Sequence, residues 1–156
     1  MLRSLENVLA EVPLFEGLDD ADLELLAGCA GNVRFASGDY LFREGDQADV
    51  FYVIRQGGIA LELFVPTRGA VIIDTLDAGE VLGWSWLFAP YRWHFDARAI
   101  GVVRATGFDG ACLRDKCGDD PAFGYRLMER FARIAIERLQ STRLRLLDVY
   151  GSDGSS

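Results

Sequence analysis

Between residues 32 and 109, short apolar runs are broken at close intervals by turn-forming clusters: Ser37-Gly38-Asp39, Glu44-Gly45-Asp46, Gln56-Gly57-Gly58, residues 66–69 and Asp77-Ala78-Gly79. Regular turns between short strands are the mark of a sandwich or barrel, and this stretch reads as an antiparallel β-roll. Ile59, Leu61, Leu63 and Val65 alternate with Ala60, Glu62 and Phe64, giving a strand with two unlike faces. Residues 51–54, Phe-Tyr-Val-Ile, are apolar throughout, as expected of a strand covered on both sides.

Helical patterns flank this region. Residues 4–30 read as two short helices; in the second, Asp19 is placed to cap free amides, Asp22 lies in the first turn, and Leu18 and Leu23 have the spacing of a hydrophobic staple. A short helix over residues 111–117, ended by Gly118, precedes a long one with Asp120 as N-cap and Pro121 at its first position. Met128, Phe131, Ala135, Leu139, Thr142 and Leu146 recur at spacings of three and four, a seam that is expected to pair with the same helix of a second subunit across a two-fold axis, the alternative being that it folds back on the roll. The organisation is thus one domain over residues 1–150: N-terminal helices to 30, a roll over 32–109, C-terminal helices over 111–148. Residues 151–156, rich in Gly and Ser, read as a flexible tail.

The chain has 156 residues, half of them hydrophobic, enough for one real core. Its net charge of -8 opposes broad contact with nucleic acid, which requires a basic footprint. Arg126, Arg130, Arg133, Arg138, Arg143 and Arg145 concentrate basic charge on the last helix, a solvated face on which Glu129 and Glu137 are available for local pairing, or else a candidate partner surface. No apolar run approaches the roughly 20 residues that cross a bilayer, and a cytoplasmic location is expected. Cys29, Cys112 and Cys117 form no Cys-x-x-Cys pair and read as reduced thiols, and no metal site is expected. No Gly-x-Ser-x-Gly, Walker loop or His-Glu-x-x-His occurs, and one histidine cannot build a triad, so the chain is read as a non-enzyme.

Residues 79–95 hold all three tryptophans, Trp84, Trp86 and Trp93, the single histidine His94, and Arg92. A cation among large aromatic rings must reach water or an anionic partner, so this segment is the candidate ligand site, with Gly83, Trp84, Ser85, Trp86, Leu87, Tyr91, Arg92, Trp93 and His94 as its contacts.

The order of helices, roll, short helix and long helix is similar to that of the cyclic-nucleotide-binding domains of the catabolite-activator and anaerobic-regulator (Crp/Fnr) superfamily. The residues that carry the resemblance are Val12-Pro13-Leu14-Phe15-x-Gly17-Leu18, Phe35-x-x-Gly38-Asp39-x-Leu41-Phe42-x-Glu44-Gly45-Asp46-x-Ala48-Asp49-x-Phe51-Tyr52-Val53-Ile54-x-x-Gly57 and Gly79-Glu80-Val81-Leu82-Gly83. The resemblance implies an eight-strand, jelly-roll-like fold, mainly β with flanking helices, and a nucleotide held against a short cassette helix inside the roll. In that family a Glu after the cassette glycine holds the ribose and a later Arg pairs with the phosphate. Here Trp84 stands at the Glu position and Trp93 at the Arg position, with Arg92 one residue early.

Three readings of the segment follow. In the first, the chain is a stand-alone regulatory sensor that binds cyclic AMP, cyclic GMP or another small ligand, with Arg92 on the phosphate, and signals through a partner protein. In the second it is a heme sensor, as some superfamily members are, with His94 or a cysteine as ligand. In the third the aromatic residues fill the pocket and leave a ligand-free interaction module. Family transcription factors continue into a helix-turn-helix that is not seen after Tyr150, so direct DNA binding is not expected.

Overall fold

The computed structural model of the chain describes residues 5–154, with side chains described to residue 147. Helices α1 (Leu5–Ala10) and α2 (Asp20–Ala27) lead into strands β1 (Ala30–Phe35), β2 (Tyr40–Phe42), β3 (Val50–Val65), β4 (Gly69–Leu76), β5 (Val81–Leu82) and β6 (Asp96–Asp109), followed by α3 (Gly110–Asp119) and α4 (Pro121–Gly154). The expected caps form: Asp19 accepts from the Asp22 amide at 2.8 Å and Asp120 from the Phe123 amide at 3.1 Å.

All pairings are antiparallel, in the order β1-β6-β3-β4, with β2 on β6 and β5 on β3. The roll is built from six strands, two of them long, instead of the eight shorter ones that were expected. The Gln56-Gly57-Gly58 turn signal is the reason. Strand β3 runs straight through it, and its register against β6 shifts there while pairing continues on both sides. Gly57 holds φ +90, and a Cβ on it would lie 2.4 Å from the Val102 carbonyl oxygen. The glycine therefore makes a bulge that bends one strand into two roll segments.

Strand β3 separates two cores. Phe51 and Val53 face a helical layer with Phe15, Leu26, Phe108, Leu113, Phe123 and Leu127, whereas Ile54, Ile59 and Leu61 face the roll interior with Phe42, Leu82, Ala97 and Val103. The period of two in the backbone carries this division, as expected for residues 51–54.

Helix α4 lies over the first of these cores, and its arginines fasten it. Arg126 meets the buried Asp22 through two hydrogen bonds of 2.7 Å, Arg130 donates to the Glu16 carbonyl at 2.9 and 3.1 Å, Arg138 donates to the Val81 carbonyl, and Arg145 reaches Asp74 at 3.2 Å. Four of the six arginines thus hold α4 to its own chain, and Arg133 pairs locally with Glu129 at 3.4 Å, as the spacing allowed. Phe131, placed in the subunit seam by its spacing, is 2% exposed and packs edge-on against Phe51 at 5.1 Å. It belongs to the core of its own chain because the first half of α4 faces inward. Met128 also packs against that core, while Ala135, Leu139, Thr142 and Leu146 are exposed.

Cys29 and Cys112 form a disulfide across 83 residues, with Cα atoms 5.8 Å apart, which corrects the reading of three reduced thiols; Cys117 is free. The helix also continues through Gly154, beyond residue 151 where the tail was placed, and only 155 and 156 of that tail lie outside the described residues.

Candidate functional site

The aromatic segment begins at Gly83, whose φ of +114 is open only to glycine without strain. A Cβ there would lie 2.6 Å from the Trp93 ring and 3.3 Å from Phe51 Cβ. The chain then makes a single 3-10 turn at Ser85–Leu87, with the Leu87 amide donating to the Trp84 carbonyl at 3.0 Å. A second turn at 88–91 closes when the Tyr91 amide donates to the Phe88 carbonyl at 2.9 Å, and Tyr91 takes φ 55. From there the chain runs back along residues 45–48, exchanging the Ala48 amide with the Tyr91 carbonyl at 2.6 Å and the Trp93 amide with the Asp46 carbonyl at 3.0 Å.

The three indoles do not share one pocket. Trp86 is fully buried in the helical core, 5.1 Å from Phe51 and 5.6 Å from Phe131 by ring centroid. Trp84 is half-buried on the same side, with Phe131 at 5.7 Å and the Arg138 guanidinium 5.6 Å from its ring. Trp93 lies on the other side of β3, inside the roll, 2% exposed. Its ring stacks on Phe42 with centroids 3.6 Å apart and planes within 4°. Trp93 is thus a packed indole inside the roll.

Arg92 and His94 are exposed on either side of it, following the same two-residue alternation. Arg92 donates to the Gly45 carbonyl at 3.4 Å at the surface. His94 is not presented to the roll interior, Cys112 is tied up in the disulfide, and the free Cys117 packs between α3 and Gly124 of α4 on the helical side, so the residues do not fit a heme. Among the described residues there is no cluster of His, Cys, Asp and Glu able to hold a metal ion. Tyr91 is half-buried with the Arg114 guanidinium 4.2 Å from its ring centroid; Arg114 also donates to the Trp86 carbonyl, so α3 grips the segment at two points. Leu87 and Ser85 are half-buried, and Phe88 is 71% exposed at the tip.

Burial pulls the Arg138 guanidinium down from its usual value, and the Glu80 and Asp74 carboxylates act against that. Arg138 joins α4 to the start of the segment, because its hydrogen-bond partner is Val81 and its ion-pair partner at 3.7 Å is Glu80. A second polar cluster escaped the sequence reading. Glu62 is 4% exposed and receives three hydrogen bonds of 3.1 to 3.3 Å from Arg98, with the Tyr40 hydroxyl at 3.5 Å. Asp96, also buried, accepts from the Glu44 amide at 2.7 Å. Residues 96–99, Asp-Ala-Arg-Ala, thus pin β6 to its neighbours, and only the β3–β6 register brings Glu62 opposite Asp96 and next to Arg98.

A bent antiparallel roll, a one-turn segment between two strands and a long helix clasped across them make up the architecture in which these residues sit. The sequence profile of the cyclic nucleotide-binding domain matches residues 32–120, and the chain belongs to that family. It is 25% identical over 149 residues to the CRP-like cAMP-activated global transcriptional regulator of Mycobacterium tuberculosis, covering 96% of this chain and 65% of that one. The N-terminal domain of a transcriptional regulator from Streptomyces coelicolor A3(2) superposes with TM-score 0.69 at 28% identity, covering 90% of this chain and 95% of that one. A cyclic nucleotide-binding domain from Methylobacillus flagellatus shares the fold with TM-score 0.78 at 17% identity, covering 92% and 81%. The chain spans just under two thirds of the length of the mycobacterial relative. No described helix is long and apolar enough to cross a membrane.

Proposed function

We propose that this chain is a regulatory-family domain that acts by protein contact, with its roll closed by Trp93 in place of a cyclic nucleotide. The observation that carries the reading is the Trp93–Phe42 stack: cyclic AMP or cyclic GMP would have to displace a 2% exposed indole and would then find neither the ribose carboxylate, replaced by Trp84, nor an inward guanidinium. Losing one charge-assisted contact alone costs about 1.5–3 kcal/mol. Displacing the stack adds to that.

The contact surface in this reading is the outer half of α4, where Leu139, Leu144, Leu146 and Leu147 are each more than half exposed. We place a second copy of the chain on Leu139, Thr142 and Leu146, with Ala135 at the edge, and a partner protein on the dimer so formed. A single preparation tests both parts. Light scattering is expected to give twice the chain mass for the wild type and the monomer mass for a Leu139→Glu, Leu146→Glu variant, and millimolar cyclic AMP or cyclic GMP is expected to leave the thermal midpoint unchanged. A ligand at a hundred times its Kd adds about 2.7 kcal/mol to stability, so a rise of several degrees would reinstate the nucleotide sensor. A monomeric wild type would remove the seam.

A further inference from the structure

We infer that the Cys29–Cys112 disulfide is a redox site, reduced by a dithiol, whose state sets how firmly α3 holds the aromatic segment at residues 84–92. The bridge joins the residue before β1 to the first turn of α3. It borders an open groove of about 880 Å³ whose walls include Gln47, Asp49, Tyr52 and Arg114. Cys29 is 8% exposed whereas Cys112 is only half-buried, so an incoming thiolate meets the Cys112 sulfur first. The S–S bond then breaks, Cys29 leaves as a thiolate and takes up a proton, and a mixed disulfide forms between the reductant and Cys112. The second thiol of the reductant displaces Cys112 as a thiol, so that two electrons have passed from the dithiol to the protein and the reductant leaves as a disulfide.

The Lys116 ammonium donates to the Leu25 carbonyl at 2.9 Å and sits against Gly28, so α3 keeps a tie to the end of α2 that does not depend on the bridge. Burial, with Asp120 adding to it, pushes the Cys117 thiol up, which keeps this third cysteine protonated and out of the exchange.

What the bridge controls follows from α3 itself. Two residues after Cys112, Arg114 donates to the Trp86 carbonyl and lies over Tyr91. The start of α3 has other anchors: Asp109 caps the Cys112 amide at 3.0 Å, the Asp109 amide donates to the Cys29 carbonyl at 2.9 Å, and Leu113 is fully buried. Reduction therefore leaves the helix in place and relaxes its grip, a local change in opening that amide exchange reads directly.

The test compares wild-type protein in its oxidised form and with dithiothreitol. Expected are one alkylatable thiol when oxidised and three when reduced, several-fold faster hydrogen exchange at 84–92 on reduction, and unchanged exchange in the β1–β6 pairs. A Cys29→Ser, Cys112→Ser variant should match reduced wild type whether or not reductant is present, and Arg114→Ala should speed the same amides in oxidised protein. Three alkylatable thiols after oxidation, unchanged exchange at 84–92, or equal acceleration along β1–β6 would each overturn the inference. Should the double variant not fold, the wild-type comparison decides it alone.

Discussion

Replacing Gly83 by alanine is expected to destabilise the domain by about 3 kcal/mol, the sum of backbone strain and forced overpacking, and to lower the thermal midpoint by roughly 10 °C. Both terms come from the geometry. The φ of +114 lies outside the basin that alanine tolerates, and the new methyl group would fall 2.6 Å from the Trp93 ring and 3.3 Å from Phe51 Cβ. Neither neighbour can give way, since Phe51 is fully buried and Trp93 is stacked on Phe42. Gly79→Ala supplies the control, because Gly79 has a similar φ of +91 with open space where its Cβ would be. It should cost only the strain, about 1 kcal/mol. Equal losses at the two positions, measured by denaturant unfolding, would show that Trp93 does not press on Gly83.

Trp93→Ala is expected to cost about 4 kcal/mol, the range for emptying a large aromatic site in a core that relaxes only in part. Trp93→Phe should keep most of the stack and lose less. In a double-mutant cycle with Phe42→Ala, the two rings should show a coupling of about 1 kcal/mol, as offset or stacked aromatic pairs do beyond the area they bury. Arg92→Ala, by contrast, should stay within about 0.5 kcal/mol of wild type, because its guanidinium is exposed. The contrast between adjacent residues separates a structural plug from a binding cation. If Trp93→Ala were as mild as Arg92→Ala, the roll would not depend on that indole.

Local signals were legible where the cause was local. Asp19 and Asp120 cap helices as their spacing implied, residues 51–54 are covered on both faces, and most of the turn clusters between 37 and 79 sit between strands. Errors arose where a residue pattern has two physical solutions. Gly57 permits a turn or a bulge, and the choice falls to the bulge only because β6 runs close enough to pair on both sides. Phe131 fits a seam by period, yet the α4 surface it shares with Phe123 and Leu127 is committed to the chain's own core.

The aromatic segment was found but not its division, for a related reason. Composition gathers Trp84, Trp86 and Trp93 into one stretch, while the two turns at 85–87 and 88–91 send the first two to the helical side and the third into the roll. The disulfide, the Glu62–Arg98 pair and the Arg126–Asp22 pair join residues 83, 36 and 104 positions apart, distances at which spacing carries no signal. Of the arginines on the charged helix, Arg126 is held by the buried Asp22 and Arg130 and Arg138 by the Glu16 and Val81 carbonyls, partners that lie far away in sequence.

The placement of Trp93 is tested most directly by the emission of a Trp84→Phe, Trp86→Phe variant, in which Trp93 is the only indole left, recorded with and without millimolar cyclic AMP. A roll closed by this ring predicts blue-shifted emission, weak quenching by acrylamide and no response to the nucleotide. Red-shifted, freely quenched emission, or a change that saturates with cyclic AMP, would contradict it.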